Sequence, residues 1–276
     1  MTVPKILFDP IADVYDETRS IPEEVLGEAY DRVFEVTKIE PGSMVLDIGI
    51  GTGLAIASLV ERGFDVIGLD LSAKMLDRLM KRTRARGWEV NPLMGDALKL
   101  PFCDRSFDIV TLVSLEHLIA DWDTFSREIA RVVKPHGYAV VGSRFPRGTH
   151  STPWEKYFQL QRNFTQTIFR RALQKAVSLP VLSYIRNALR KMRGAKEWNA
   201  YLERVGTHME QKVILWKEEV SLSQVVKWLD SRYTSFQSSV DDETHNKIIA
   251  HLNAALKELP ATESVDARFK VHIFKF

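Results

Sequence analysis

The stretch Val45-Leu46-Asp47-Ile48-Gly49-Ile50-Gly51-Thr52-Gly53-Leu54-Ala55 decides how the rest of the chain is read. A β-branched and aliphatic run meets three glycines at alternate positions, and apolar residues then recur at helical spacing in Leu54, Ile56, Ala57, Leu59 and Val60. That order predicts a strand, a tight turn and a helix. Glycine suits such a turn because it adopts torsions closed to other residues, and because a ligand can then lie on the main chain at a helix N-terminus. The next apolar run, Phe64-Asp65-Val66-Ile67-Gly68-Leu69-Asp70, ends in an acid. Asp70 stands about twenty residues past the glycines, where a βαβ nucleotide fold sets a carboxylate against ribose hydroxyls. The two signals together point to a nucleoside-containing ligand.

Working outward, the segment Asp9 to Arg19 is polar with a few aromatics and reads as a loop or short helix. Pro22-Glu23-Glu24 opens a helix with proline and acids in its first turn, and Pro41-Gly42 is expected to end it. Past Asp70, Ser72 is a good N-cap for an amphipathic helix from Ala73 to Arg86, with Met75, Leu76, Leu79 and Met80 inward and Gly87 as its stop. Trp88 to Met94 reads as a third strand, and Phe107 to Val113 as a fourth, nearly all apolar, as when helices cover both faces. Asp121 or Asp123 caps the next helix, Lys134-Pro135-His136-Gly137 breaks it, and Tyr138 to Gly142 forms the fifth strand. Strands alternating with helices predict a doubly wound, parallel α/β sheet. Ligands of such sheets bind outside the carboxyl ends of the strands. Those ends carry Gly49 to Gly53, Asp70, Asp96 and Ser114 to His117, so four separate signals converge on one crevice.

The glycine spacing then separates cofactors. A dinucleotide fingerprint is Gly-x-Gly-x-x-Gly or Ala, whereas here the third glycine comes one residue early and Leu54 follows it. The stretch Asp47 to Gly53 instead resembles the first motif of class I S-adenosylmethionine (SAM)-dependent methyltransferases. Gly95-Asp96-Ala97 with Leu100-Pro101-Phe102-Cys103-Asp104-Arg105-Ser106-Phe107-Asp108, then Leu115-Glu116-His117-Leu118 and Arg131 to Tyr138, is similar to further motifs of that family, with His136 where a glycine is usual. Tyr15-Asp16 looks like the aromatic-Asp pair that precedes the first motif. The resemblance covers residues 13–145. It implies a Rossmann-like methyltransferase fold, a doubly wound and mostly parallel seven-stranded sheet, SAM as cofactor and S-adenosyl-L-homocysteine as product.

The resemblance also implies roles. Gly49, Gly51 and Gly53 would form the floor under the SAM amino acid, and Asp47 would hold its ammonium. Asp70 would accept from both ribose hydroxyls, while Leu71 and Met75 pack near the adenine. Asp96 would accept from the adenine amino group and Ala97 would supply a backbone donor. Ser114 would offer backbone near the methionine part, Tyr15 would close over the cofactor, and Arg19 would reach its carboxylate.

Beyond Phe145 the chain changes character. Residues 156–196 carry ten Lys and Arg and no Asp or Glu, with apolar residues at helical spacing on both sides of Pro180. This predicts a basic helical lid inserted after the fifth strand, in a division of 1–145 as the SAM-binding core, 146–206 as lid and acceptor region, and 207–276 as strands and helices completing the sheet. Outside 156–196 the acids are in excess, 36 against 28 bases, so the positive charge is concentrated there. Three readings of it stand side by side: a solvated helical face, an anionic acceptor drawn in by the local field, and peripheral contact with an anionic membrane surface or nucleic acid. Nucleic acid is disfavoured, since no aromatic-basic module is present and the remaining surface is acidic. His208 to Trp216 reads as strand-like in part, Ser221 to Leu229 as a capped helix, Ser231 to Phe236 as a sixth strand, Asp241 to Leu259 as a helix, and Phe269 to Phe276, alternating with period two, as a final edge strand. This tail looks similar to that of methyltransferases related to the trans-aconitate group, which favours a small acceptor.

Composition bounds the rest. The 276 residues are 45% hydrophobic and 27% charged with a net charge of +2, an ordinary globular balance. One cysteine, Cys103, excludes an internal disulfide, and neither a signal-peptide core nor a membrane-length apolar run is present, so a cytoplasmic protein, monomer or homodimer, is the expectation. Methyl transfer from a sulfonium is an in-line displacement that needs a base only when the nucleophile carries a proton. His117, at the open end of the fourth strand, is the candidate base, Glu116 reads as structural, and Arg147 and His150 are candidates to line the acceptor site. No histidines show metal-ligand spacing, and no metal is expected. The expected function is SAM-dependent methylation of O or N on a small, anionic metabolite. The alternatives are a non-catalytic SAM or nucleoside binder, a methyltransferase acting on a lipid or macromolecule through the basic lid, and, less favoured, a dehydrogenase.

Overall fold

Apolar runs and amphipathic helices alternate along the chain, and the computed structural model turns that alternation into stacked βα units. It describes residues 8–18, 21–147, 198–231, 241–258 and 261–276. In chain order these form a 3-10 turn at Asp9–Val14, α1 (Tyr15–Thr18), α2 (Glu23–Thr37), β1 (Met44–Ile48), α3 (Ala57–Val60), β2 (Asp65–Asp70), α4 (Ala73–Arg86), β3 (Val90–Met94), β4 (Phe107–Val113), α5 (Trp122–Val132), β5 (Val133–Arg147), β6 (Thr207–Ser221), α6 (Leu222–Asp230), α7 (Asp242–Ala255) and β7 (Thr262–Lys275). The sheet has seven strands in the order β3-β2-β1-β4-β5-β7-β6. The ladders β1–β2, β1–β4, β2–β3 and β4–β5 are parallel. Strand order therefore reverses between β1 and β4, and the crevice outside their carboxyl ends is the place where such a sheet takes its ligand.

Local chemistry sets the boundaries. Ser72 caps α4 by accepting from the Met75 amide at 3.2 Å, and Gly87 closes that helix in the left-handed region. Of the two acids proposed to cap α5, it is Asp121 that accepts from the Thr124 amide, at 3.0 Å. Helix α2 ends earlier than the Pro41-Gly42 signal, at Lys38, which takes the left-handed C-cap itself with φ 55°. Lys134 to Gly137 does not precede β5 but lies within it. The register jumps from Phe107↔Val133 to Ile109↔Tyr138, so the extra residues bulge out and the strand continues.

The C-terminal strand departs from expectation. β7 is not an edge strand. It lies between β5 and β6, and its end is fixed where the Phe276 amide donates to the Gly137 carbonyl at 3.0 Å and Phe276 accepts from the His136 amide at 2.8 Å. Period-two alternation reports one buried face, here Phe269, Val271 and Ile273, and says nothing of the neighbours in the hydrogen-bonding plane. The edge falls to β6, which is the sixth strand in chain order. The stretch 232–236 proposed for that place lies outside the described residues, as do 156–196.

The chain divides into two compact units, Met1–Phe145 with Lys191–Ile214 and Phe269–Phe276, and Pro146–Arg190 with Leu215–Arg268. The core of the first is built from Leu46, Ile48, Phe107, Val110, Leu112, Phe125, Ile129 and Phe274, closed by Trp122 against Trp198 at 5.9 Å between ring centres. In the second, α6 buries Leu222, Val225, Val226 and Leu229, and α7 buries Ile248, Ile249 and Leu252.

Candidate functional site

The turn after β1 carries three left-handed glycines, Gly49 (φ 74°), Gly51 (φ 55°) and Gly53 (φ 78°). Two of them are glycine for different reasons. A Cβ on Gly53 would stand 2.5 Å from Leu79 Cδ1, so α4 packs directly on the turn there. A Cβ on Gly51 would meet nothing closer than 3.9 Å, where the Gly49 carbonyl oxygen and Tyr15 Cε1 lie. Protein packing does not demand a bare backbone at Gly51, whereas a ligand seated on the turn does.

Two carboxylates flank this cradle. The Gly51 amide donates to Asp70 Oδ2 at 2.9 Å and the Ser72 amide to Oδ1 at 2.8 Å, which fixes the carboxylate at the end of β2. Burial pushes the Asp70 carboxyl above its ordinary range, the amides of Ser72, Gly51 and Leu71 pull it back, and the charge of Asp9 adds to the rise. Asp47 is buried in β1, accepts from the Thr111 hydroxyl at 2.7 Å, and is pushed up to about 7 by burial, against the effect of that hydrogen bond. Tyr30, also buried, holds its proton more tightly through burial and the negative charge of Asp47. A buried acid of this kind is a receptor for a cation.

The other predicted positions gather at the same sheet end. The Gly95 amide donates to the Asp70 carbonyl at 2.9 Å, which ties the Gly95-Asp96-Ala97 turn to β2. Asp96 Oδ1 accepts from the Leu98 amide at 3.0 Å, Met75 is buried, and Leu71 and Ala97 are half-buried. Ser114 leaves β4 with φ 56° while its amide donates to the Gly142 carbonyl at 2.7 Å, and the Leu115 side chain then lies against Gly49. His117 is exposed. Arg19 and His150 lie outside the described residues, and Arg147 ends β5.

The Tyr15-Asp16 motif marked a cover for the cradle but not the strap of contacts that seats it. Tyr15 reaches Gly51 because residues 8–18 are pinned along α4 and the turn. Asp9 pairs with the Ser72 hydroxyl, Asp13 with Arg78 at 2.8 Å, and Asp16 with both Arg82 at 2.6 Å and the Thr52 hydroxyl. Phe8 packs edge-on to Tyr15. The available signal was spacing: acids at 9, 13 and 16 share one helical face, and Arg78 and Arg82 are one turn apart on α4. Sequence reasoning also passed over Thr111 and Tyr30 beneath Asp47, and it read Glu116 only as structural. Among the described residues no group of three His, Cys, Asp or Glu is placed to hold a metal, and no helix is long and apolar enough to cross a membrane.

A left-handed glycine turn at the switch point, an amide-clamped carboxylate at the end of β2 and a buried acid near the end of β1 define a doubly wound α/β protein with its polar groups gathered at one sheet end. Comparison with known proteins gives the class its family. A methyltransferase domain model matches residues 46–141. The demethylmenaquinone methyltransferase of Lactobacillus johnsonii is 34% identical over 170 residues, 59% of this chain and 70% of the relative. That of Beutenbergia cavernae is 32% identical over 177 residues, 62% and 68% of the two chains. The chain belongs to the class I SAM-dependent small-molecule methyltransferases. Two solved structures share the fold. The YcgJ protein from Bacillus subtilis has a TM-score of 0.53 at 20% identity and covers 91% of this chain and 98% of its own. A structure solved for the conversion of a disulfide bond into a thioacetal group during echinomycin biosynthesis has a TM-score of 0.56 at 19% identity and covers 97% and 90%.

Proposed function

We propose that the chain transfers the SAM methyl group to O or N of a small, anionic acceptor in the cytoplasm and releases S-adenosyl-L-homocysteine. The observation that supports the cofactor side is the left-handed Gly51, where a Cβ would meet nothing closer than 3.9 Å, in the same βαβ unit as the two carboxylates Asp70 and Asp47. In this reading Gly49, Gly51 and Gly53 support the amino acid moiety and Asp47 faces its ammonium. Asp70 keeps lone pairs for the ribose hydroxyls after its two amide bonds. Asp96 and Ala97 meet the adenine, with Leu71 and Met75 beside it, and Ser114 contributes backbone near the methionine part. Tyr15 covers the cradle, and Arg19 reaches the cofactor carboxylate. SAM, when bound, supplies a methyl on a sulfonium, already an activated leaving group, so the protein's task is alignment and exclusion of water. His117 is the base proposed from the sequence.

The relatives favour a second reading of the acceptor, since those reported are named for demethylmenaquinone. The experiment is transfer of radiolabelled methyl from SAM to demethylmenaquinone and to a panel of anionic metabolites, with SAM binding to Gly51→Ala measured by calorimetry. Turnover on one of these acceptors is expected. Gly51→Ala, which meets only the torsional penalty of a left-handed alanine, about 1 kcal/mol, is expected to stay folded and to bind SAM at least about tenfold more weakly. Undiminished binding would overturn the placement of the cofactor.

A further inference from the structure

Past Ser114, with its left-handed backbone, the chain makes a tight turn in which the Leu118 amide donates to the Leu115 carbonyl at 2.9 Å. Leu115 packs on the cofactor turn at Gly49. Its neighbour Glu116 is buried, 7% exposed, and its Oε2 has no hydrogen-bond partner. Ser143 stands on β5 one residue past Gly142, the partner of Val113 in the ladder, and its hydroxyl is likewise buried without a partner. The hydroxyl is near enough to ease the charge of the carboxylate, but the two do not meet in good hydrogen-bond geometry. The neighbouring titratable and charged residues in the chain are His117 beside it in the turn and Arg144 beside Ser143. A buried carboxylate oxygen and a buried hydroxyl, each without a hydrogen-bond partner, are uncommon in a protein interior and ask for a ligand. Glu116 lies three residues past the carboxyl end of β4, and Ser143 follows the last β5 residue that pairs with β4, so both stand toward the sheet end where a fold of this kind receives its substrate.

We propose that Glu116, with Ser143 beside it, receives the acceptor and takes the proton of its reacting atom, so that the acceptor is a hydroxyl or an amine and not a carboxylate. The assignment rests on the methyltransferase reading above. In the step it describes, a lone pair on the acceptor oxygen or nitrogen forms the bond to the methyl carbon. The pair of the breaking carbon–sulfur bond stays on sulfur as a neutral thioether, and the O–H or N–H proton passes to Glu116 Oε2 and on to water. Burial raises the affinity of this carboxyl for a proton, with its own amide and Ser143 acting in the other direction.

Glu116→Gln of the full chain tests this with readouts beyond turnover. A carboxyl whose proton affinity is raised on folding loses stability as pH rises, so the glutamine variant should match wild type near pH 4 and unfold about 2–4 °C higher at pH 8. A structural carboxylate would show the reverse, with loss of stability on replacement. The thermal shift given by SAM should be the same in both proteins. With acceptors of the panel, Glu116→Gln should lower kcat by about 100-fold with little change in KM for SAM, and Glu116→Asp should restore part of it. A variant less stable at pH 8, a lost SAM shift confined to the variant, a basic limb of the pH profile that follows His117→Asn and not Glu116→Gln, or methylation only of carboxylate acceptors would overturn the assignment. A SAM shift absent from wild type as well would instead remove the methyltransferase reading beneath it.

Discussion

Asp47 is a carboxyl that the folded chain holds against its own solvation. Its folded value of about 7 stands above the roughly 3.9 of an exposed aspartate, so the native state binds the proton more tightly than the unfolded one. Stability tied to this group is therefore present at about pH 4 and is lost as pH rises through 7. Asp47→Asn keeps an oxygen for the Thr111 hydroxyl and removes the charge. It is expected to equal wild type near pH 4 and to be more stable at pH 8 by on the order of 4 kcal/mol, as followed by urea unfolding. The same variant should bind SAM at least about tenfold more weakly, because the proposed partner of the ammonium is gone. A gain in stability with a loss of ligand is the mark of a group kept for binding. A variant destabilised at pH 8 would show Asp47 to be part of the scaffold alone.

At the scale of elements, the strap of residues 8–18 turns a βα unit into a covered site. Its ion pairs are partly exposed, and pairs of that kind contribute about 0.2–1 kcal/mol each. Arg82→Ala removes the Asp16 contact beside Thr52 and should change global stability by less than about 1 kcal/mol. Because Tyr15 lies over Gly51 only while the strap is seated, the variant should weaken SAM binding by about fivefold in calorimetry, and the difference from wild type should shrink in high salt, which screens the pair in wild type. Unchanged affinity would separate the strap from the cradle. The cradle and Asp70 were legible in the sequence because their logic is local: glycine spacing, strand end and helix cap lie within one βαβ unit. Of the strap only Tyr15-Asp16 was legible; its ion pairs were not, since Asp13 and Arg78 are 65 residues apart and neither position is unusual in its own segment. The lone pair on Glu116 was equally hidden, as a sequence shows an acid and not its burial.

The core of the first unit is completed by the last strand. β7 inserts between β5 and β6, and Phe274, fully buried, packs into the cluster that holds Leu46 and Phe107 from the other end of the chain. Phe274→Ala should reduce the free energy of unfolding by about 3–5 kcal/mol, the range for a large aromatic removed from a core, and a loss under about 1 kcal/mol would contradict this closure. The first five strands and their order of appearance could be read from periodicity alone. The place of β7 could not, because alternation marks a face and leaves lateral neighbours unspecified. The proposed SAM site is tested most directly by thermal unfolding of wild type and Asp70→Asn with SAM, S-adenosyl-L-homocysteine, NAD and NADP. A ligand present at about a hundred times its Kd adds roughly 2.7 kcal/mol, several degrees for a chain of this size. Shifts with SAM and S-adenosyl-L-homocysteine alone, lost in Asp70→Asn, are the predicted result. A shift with NAD or NADP and none with SAM would contradict the account.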